Sequence, residues 1–191
     1  MTKHYHSLVF LFLFFSATYA QTTALPDSNF EQALIDLGYD SGALDDYVTT
    51  ANINTVVSLD VSNKSIADLT GIEDFAALEM LICQQNLLSS IDVSQNAVLE
   101  NLHCGDNMLT QLDVSSNPAM YDLDCSNNQI TNIDISKNVL LETFYCNSNQ
   151  INDLDIKKNI GLTSLMCQNN LLTRLVANNG NNTSLLVFNA T

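Results

Sequence analysis

Residues 99–119 read LENLHCGDNMLTQLDVSSNPA, and this 21-residue pattern recurs along most of the chain. Successive repeats are marked by five cysteines, each 21 residues after the last: Cys83, Cys104, Cys125, Cys146 and Cys167. An asparagine follows each cysteine by three residues: Asn86, Asn107, Asn128, Asn149 and Asn170. A fixed period of this length is typical of a solenoid, in which every turn puts the same residue type in the same place. The spacing therefore predicts the architecture of the chain.

The apolar positions of the repeat predict its core, because their burial between turns drives the chain to coil. The repeat is itself nearly two copies of a shorter unit. Val93 lies 10 residues after Cys83 and 11 before Cys104, and Asn96 lies 10 residues after the first asparagine. We therefore expect two similar extended arms and two similar asparagine corners in each turn. A second arm of this length leaves no room for an ordinary helix, so the prediction is a β-rich coil of about six to seven turns with parallel strands.

An N-terminal helix is predicted over the sequence DSNFEQALIDLG. Ser28 and Glu31 have the spacing of a capping box, and Gly38 is a typical helix end. A helix at this point would cover the apolar end of the first turn, as a solenoid requires. We assign residues 21–55 to an N-terminal helical cap and linker.

Residues 56–191 are assigned to the solenoid, which departs from its period at both ends. Val61 precedes Cys83 by 22 residues, and Phe188 follows Leu165 by 23. The last turn is incomplete because the sequence stops before its consensus asparagine. From this pattern we expect a fragment of a longer protein.

Residues 1–20 predict a signal peptide, with Lys3 before an apolar run over residues 8–15 and small residues up to Ala20. The run is too short to span a bilayer, so the protein is expected to be secreted or at the cell surface. The formal net charge is −15. Nucleic acid and anionic lipid would be repelled by so acidic a chain, and we expect neither nucleic-acid binding nor membrane insertion.

The cysteine and asparagine columns are predicted to form a structural ladder. Stacked turns lie ~4.8 Å apart, which leaves in-register Cβ atoms slightly too distant for a preferred disulfide. Inert core thiols are therefore favoured over a disulfide or a metal site. Buried asparagine amides can satisfy backbone groups at the corners and bond the asparagine of the next turn. An alanine at Asn128 is accordingly expected to destabilise more than one at Asn127.

An aspartate column precedes the inward Val or Ile of each second arm: Asp60, Asp92, Asp113, Asp134 and Asp155. Like charges ~5 Å apart repel by roughly 1 kcal/mol even in water. Either the carboxylates stay hydrated or they collect a cation such as Ca²⁺. The hydrated surface is favoured, and we predict no metal and no cofactor.

A candidate ligand-binding face is predicted at the variable positions of the first strand. Exposed aromatic and apolar side chains in adjacent rows have the composition of interface anchors. The predicted residues, named the candidate face below, are Ile82, His103, Asp124, Tyr145, Met166, Tyr121, Glu100 and Glu142. His103 and Asp124 are one turn apart and could pair. No Ser or Cys nucleophile is expected to face the same way, so we predict a protein that is not an enzyme.

The repeat L-x-x-L-x-C-x-x-N-x-L-x-x-L-D-V-S-x-N, with the PDSNFEQALIDLG cap, resembles secreted bacterial leucine-rich-repeat proteins. The resemblance covers residues 25–191 and includes an internalin-like turn at residues 61–78. It implies binding of a protein or glycan at the cell surface, and it transfers no catalytic residue. The leading hypothesis is a non-catalytic binding module. The alternative is a structural spacer or stalk domain of a larger secreted protein.

Overall fold

The structure is a computed structural model that describes residues 20–178, Gly180 and the backbone of residues 187–189. The predicted signal peptide, apart from Ala20, lies outside the described residues, as does the incomplete end of the last turn beyond residue 189.

The N-terminal cap contains a two-stranded antiparallel sheet and two helices. Its elements are β1 (Thr22–Ala24), α1 (Ser28–Asp36), β2 (Tyr47–Thr49) and α2 (Thr50–Ile53). Helix α1 ends as predicted: Gly38 has φ +81°, and Tyr39 N–H donates to the Leu34 carbonyl at 2.9 Å. Such a left-handed glycine after the last turn is a common helix terminus.

The predicted capping box is wrong, because Asp27 caps α1. Its Oδ1 accepts from Asn29 N–H and Phe30 N–H at 2.9 and 3.1 Å. Glu31 is fully buried instead, and its carboxylate accepts from Asp45 N–H at 2.7 Å and Asp46 N–H at 3.1 Å. These bonds offset the cost of burying the carboxylate, so Glu31 holds the loop before β2 rather than the start of the helix.

The solenoid contains a seven-stranded parallel sheet in the order β11-β9-β7-β6-β5-β4-β3. Each strand has three residues: β3 (Ser58–Asp60), β4 (Met80–Ile82), β5 (Asn101–His103), β6 (Asp122–Asp124), β7 (Thr143–Tyr145), β9 (Ser164–Met166) and β11 (Val187–Asn189). The register advances by 21 residues between central strands, by 22 from Ser58 to Met80, and by 23 from Ser164 to Val187. This confirms the predicted coil with parallel strands and its two irregular steps.

The second arms differ from the first, contrary to the expectation of two similar arms. In the described part of the chain, the second arm forms paired strands only at β8 (Asp153–Asp155) and β10 (Arg174–Val176). The inward residues of the second arm, such as Val93 and Val114, are fully buried. Each aspartate of this arm bonds its own corner, as Asp92 does by accepting from Ser94 N–H at 2.9 Å. The chain therefore turns soon after the inward valine, which leaves little extended backbone for a ladder.

The apolar core runs without a break from the cap into the turns. Phe30 of α1 stacks on Phe75 of the first turn, with ring centroids 6.4 Å apart. Asp27 also joins the two parts, since its Oδ2 accepts from Ala67 N–H and Asp68 N–H at 2.7 and 3.0 Å. The helix covers the end of the coil, as predicted.

Candidate binding face and the ladders that support it

The candidate face lies on the outer side of the parallel sheet. The middle residue of each strand, such as Leu102, points into the core, and the first and third residues point outward. The third residues stack in register and are half-buried: Ile82, His103, Asp124, Tyr145 and Met166. Glu100, Tyr121 and Glu142 immediately precede their strands, and Tyr121 is 40% exposed. The structure thus brings all eight predicted residues to one side of the sheet.

His103 pairs with Asp122, and the proposed pairing with Asp124 is wrong. The His103 Nε2 and Asp122 Oδ2 atoms are 3.2 Å apart. Asp124 is opposite His103 in register, but its Oδ1 accepts from Ser126 N–H at 2.9 Å. The hydrogen bond to Asp122 raises the pKa of His103, although partial burial acts in the opposite direction. The sequence could not distinguish a direct cross-strand pair from a diagonal one.

A second outward column contributes groups to this surface: Met80, Asn101, Asp122, Thr143 and Ser164. Ser164 Oγ–H donates to the Tyr145 hydroxyl at 3.2 Å and so fixes that ring. Asn101 is only 6% exposed, and its side-chain amide has no hydrogen-bond partner among the described residues. The variable position in the repeat indicated an outward residue, but its burial depends on neighbouring side chains.

The cations of the described chain lie away from the candidate face. Lys64 pairs with Asp36 at 3.3 Å, and Arg174 pairs with Asp153 at 2.9 Å. The other lysines occupy exposed corners after the second arm: Lys137, Lys157 and Lys158. Across the described residues, no helix is long and apolar enough to cross a membrane.

The five cysteines are buried and unpaired. Burial raises the pKa of Cys83 to about 12 and raises the pKa of the other four thiols as well. The thiolate is the form that attacks electrophiles and binds metals. At neutral pH the column therefore consists of protonated side chains that act as small apolar residues.

We expect these thiols to react with iodoacetamide at least ~100-fold more slowly in the native protein than in the unfolded chain, because they must first become exposed and ionise. Mass spectrometry of timed samples measures the rate at each site. Ser90→Cys adds a thiol at an exposed position and should label rapidly. Fast labelling of any ladder cysteine in the native protein would contradict this assignment.

The first asparagine column satisfies the backbone of its corner completely. Asn128 Nδ2 donates to the carbonyls of Cys104, Cys125 and Ser126, each at 3.1 Å. Its Oδ1 accepts from Leu109 N–H at 2.9 Å. One amide therefore binds its own turn to the preceding one. The bonds go to backbone groups, and the predicted bonding to the asparagine of the next turn is wrong for this column.

The second asparagine column is bonded differently, so the two corners are not alike. Asn117 Nδ2 donates to the carbonyls of Val93 and Asn96 at 3.0 and 2.9 Å. The Oδ1 atoms of Asn96, Asn117 and Asn138 are buried without a partner. These residues act as donors only, because a tight turn after the inward valine leaves no N–H directed at their oxygen.

The aspartate column is exposed, and its members cap their own corners. Hydrogen bonds from the serine two residues later lower the pKa of Asp92, Asp113 and Asp134. Throughout the described residues, no group of three or more His, Cys, Asp or Glu side chains is arranged to hold a metal ion. The carboxylates thus have a local structural role as turn caps.

Comparison with known proteins places these columns in a recognised architecture. No protein-family model matches the chain. Internalin J of Listeria monocytogenes serotype 4b (strain F2365) is 39% identical over 71 residues, which cover 37% of this chain and 8% of that protein. A solved structure, the functional domain of InlJ from Listeria monocytogenes, includes a cysteine ladder. It matches 92% of this chain with a TM-score of 0.67 and 28% identity. The chain is an internalin-like bacterial leucine-rich-repeat protein.

This internalin-like chain spans about half of the solved InlJ domain, 49% of its length. A more distant fold relative is the plant peptide hormone receptor RGFR1 in complex with RGF2. It is 27% identical with a TM-score of 0.56, and the match covers 63% of this chain and 21% of the receptor.

Proposed function

We propose that the chain is a non-catalytic protein-binding module of an exported or cell-surface protein, and that it binds through the candidate face. The observation that carries the proposal is the in-register stacking of outward side chains on five adjacent strands, from Ile82 to Met166. Such a surface is rigid before a partner arrives, which lowers the entropic cost of binding.

The composition of the candidate face supports this role. Tyr145, Tyr121, Ile82 and Met166 are the kinds of side chain that dominate interface energetics. The Tyr145 hydroxyl is already held by Ser164, which limits the rotamer entropy lost on association. RGFR1, a relative in fold, is solved in complex with RGF2, so a leucine-rich-repeat coil of this kind is compatible with a peptide partner.

The chemistry of the face also favours binding over catalysis. His103 is engaged with Asp122, and the cysteines are protonated and turned into the core. Among the described residues, no serine or cysteine contacts the histidine. We propose export through the leader at residues 1–20, which would place the acidic surface outside the cell.

The test compares two triple variants on arrays of extracellular proteins and glycans. His103→Ser, Tyr121→Ser and Tyr145→Ser together remove the central side chains of the candidate face. Exposed residues of the second arm supply the control: Gln111→Ser, Thr131→Ser and Asn152→Ser. We expect at least one protein to bind the parent chain, about tenfold or more weakened by the first variant and unchanged by the second. Equal binding by both variants, or no bound partner, would instead favour the spacer or stalk.

A further inference from the structure

Four polar side chains form a patch near the middle of the candidate face. On β5 and β6, Asn101 lies opposite Asp122 and His103 lies opposite Asp124. Asp122 uses Oδ2 for His103, and Asp124 uses Oδ1 for Ser126 N–H. Within the described chain, each aspartate therefore keeps one carboxylate oxygen without a partner. We call these four residues the polar patch.

Asn101 is the unusual member of the polar patch. The side chain is 94% buried, yet the amide bonds no other described residue. A buried amide without a partner is destabilising and rare in native structures. The adjacent strand has Met80 at the same position, so the fold accepts an apolar residue there. An unsatisfied amide at this point suggests that an arriving ligand supplies its hydrogen bonds.

The surroundings of the polar patch select the charge of that ligand. Glu100 and Glu142 extend the negative charge on either side, whereas the described lysines and the arginine lie on other surfaces. Tyr145 is opposite Asp124, and Tyr121 immediately precedes Asp122. A carboxylate beside a tyrosine ring suits a guanidinium, which donates in a planar fork and stacks on aromatic faces.

We infer that the partner is a protein that presents an extended basic segment, with an arginine or lysine side chain seated on the polar patch. The cation donates to the free oxygens of Asp122 and Asp124, and the Asn101 carbonyl oxygen accepts a further N–H. This inference rests on the proposed function and names the class of partner for the same face. Neutral glycans offer no cation, and anionic glycans would be repelled by the acids.

The probe is an octapeptide of alternating arginine and serine, titrated calorimetrically into the full chain at about 0.15 M salt. Its control has citrulline, an uncharged near-isostere, in place of each arginine. We expect the arginine peptide to bind and the citrulline peptide to bind at least about tenfold more weakly. Similar affinities for the two peptides would overturn the inference.

A pair of variants separates the polar patch from the general acidity of the chain. Asp122→Asn with Asp124→Asn should weaken the arginine peptide roughly tenfold. Asp113→Asn with Asp134→Asn changes the net charge equally on another surface, and asparagine retains the oxygen that caps the turn. This control should change the affinity by less than about twofold. Equal losses in the two variants would mean attraction to net charge alone.

Asn101→Leu tests the buried amide. We expect weaker binding of the arginine peptide with a Tm that is unchanged or higher, because the unsatisfied group is removed. A Tm lowered by several degrees would show that the amide is structural. If a protein found on the array loses affinity for the triple variant but not for Asp122→Asn with Asp124→Asn, the binding function stands and the basic-partner inference fails. Retention of neutral glycans alone would also reject it.

Discussion

Asn128→Ala should lower the free energy of unfolding by about 3–4 kcal/mol, since it leaves several buried backbone groups of two turns without partners. The largest penalties come from Leu109 N–H and the Cys104 carbonyl, which lie in the preceding turn. Urea unfolding followed by circular dichroism measures the change.

The neighbouring Asn127 is the matched control for this column. It is exposed and has φ +52°, a conformation that glycine accepts at little cost. Asn127→Gly should therefore change stability by no more than about 0.5 kcal/mol, and Asn127→Ala should cost about 1 kcal/mol through the backbone alone. If Asn128→Ala costs no more than Asn127→Ala, the amide does not support the corner.

The second corner should tolerate the same change better. Asn138→Ala breaks the donations to the Val114 and Asn117 carbonyls but also removes a buried oxygen that has no partner. We expect a cost of roughly 1–2 kcal/mol, smaller than at Asn128. The difference would measure how unlike the two corners are.

Gly71→Ala should destabilise the protein by roughly 3 kcal/mol or more, because it combines backbone strain with a collision. Gly71 has φ +105°, and a Cβ added there would lie 2.7 Å from the Ala24 carbonyl oxygen and 2.6 Å from Leu25 Cδ2. Its position is where the first turn meets the cap. Urea unfolding measures the loss, and hydrogen exchange at Thr23 and Val48 should report a loosened cap sheet.

Gly42 separates the two parts of that cost. Its φ is +112°, but a Cβ there would have no neighbour within 4 Å. Gly42→Ala should therefore cost only about 1–2 kcal/mol from the backbone. Similar losses at Gly71 and Gly42 would show that the close approach of the cap to the first turn contributes nothing.

The solenoid could be predicted because every turn repeats the same local information. The 21-residue step of the cysteines is also the step of the strand register, and even the 23-residue step from Leu165 to Phe188 appears as a pairing. Side chains that depend on distant neighbours were harder to place. Asp27 and Ser28 are adjacent residues that both suit a helix N-cap, and only the contacts of Asp27 with Ala67 and Asp68 distinguish them.

The candidate face was predictable in its location but not in its internal bonding. Period and strand alternation indicate which positions point outward. The partner of His103 depends on side-chain rotamers, and the burial of Asn101 depends on the sizes of the surrounding residues. Neither property repeats from turn to turn, so the spacing of the motif carries no information about them.

The reach of the corner amides has a consequence for how such a chain can change in length. Asn107, Asn128 and Asn149 each bond only to their own turn and to the turn before it. Duplication or deletion of a 21-residue segment between two of them would join turns whose donors and acceptors already match. Length could then vary by whole repeats, and the outward residues of a new turn would be free to diverge without altering the bonds that hold the coil together.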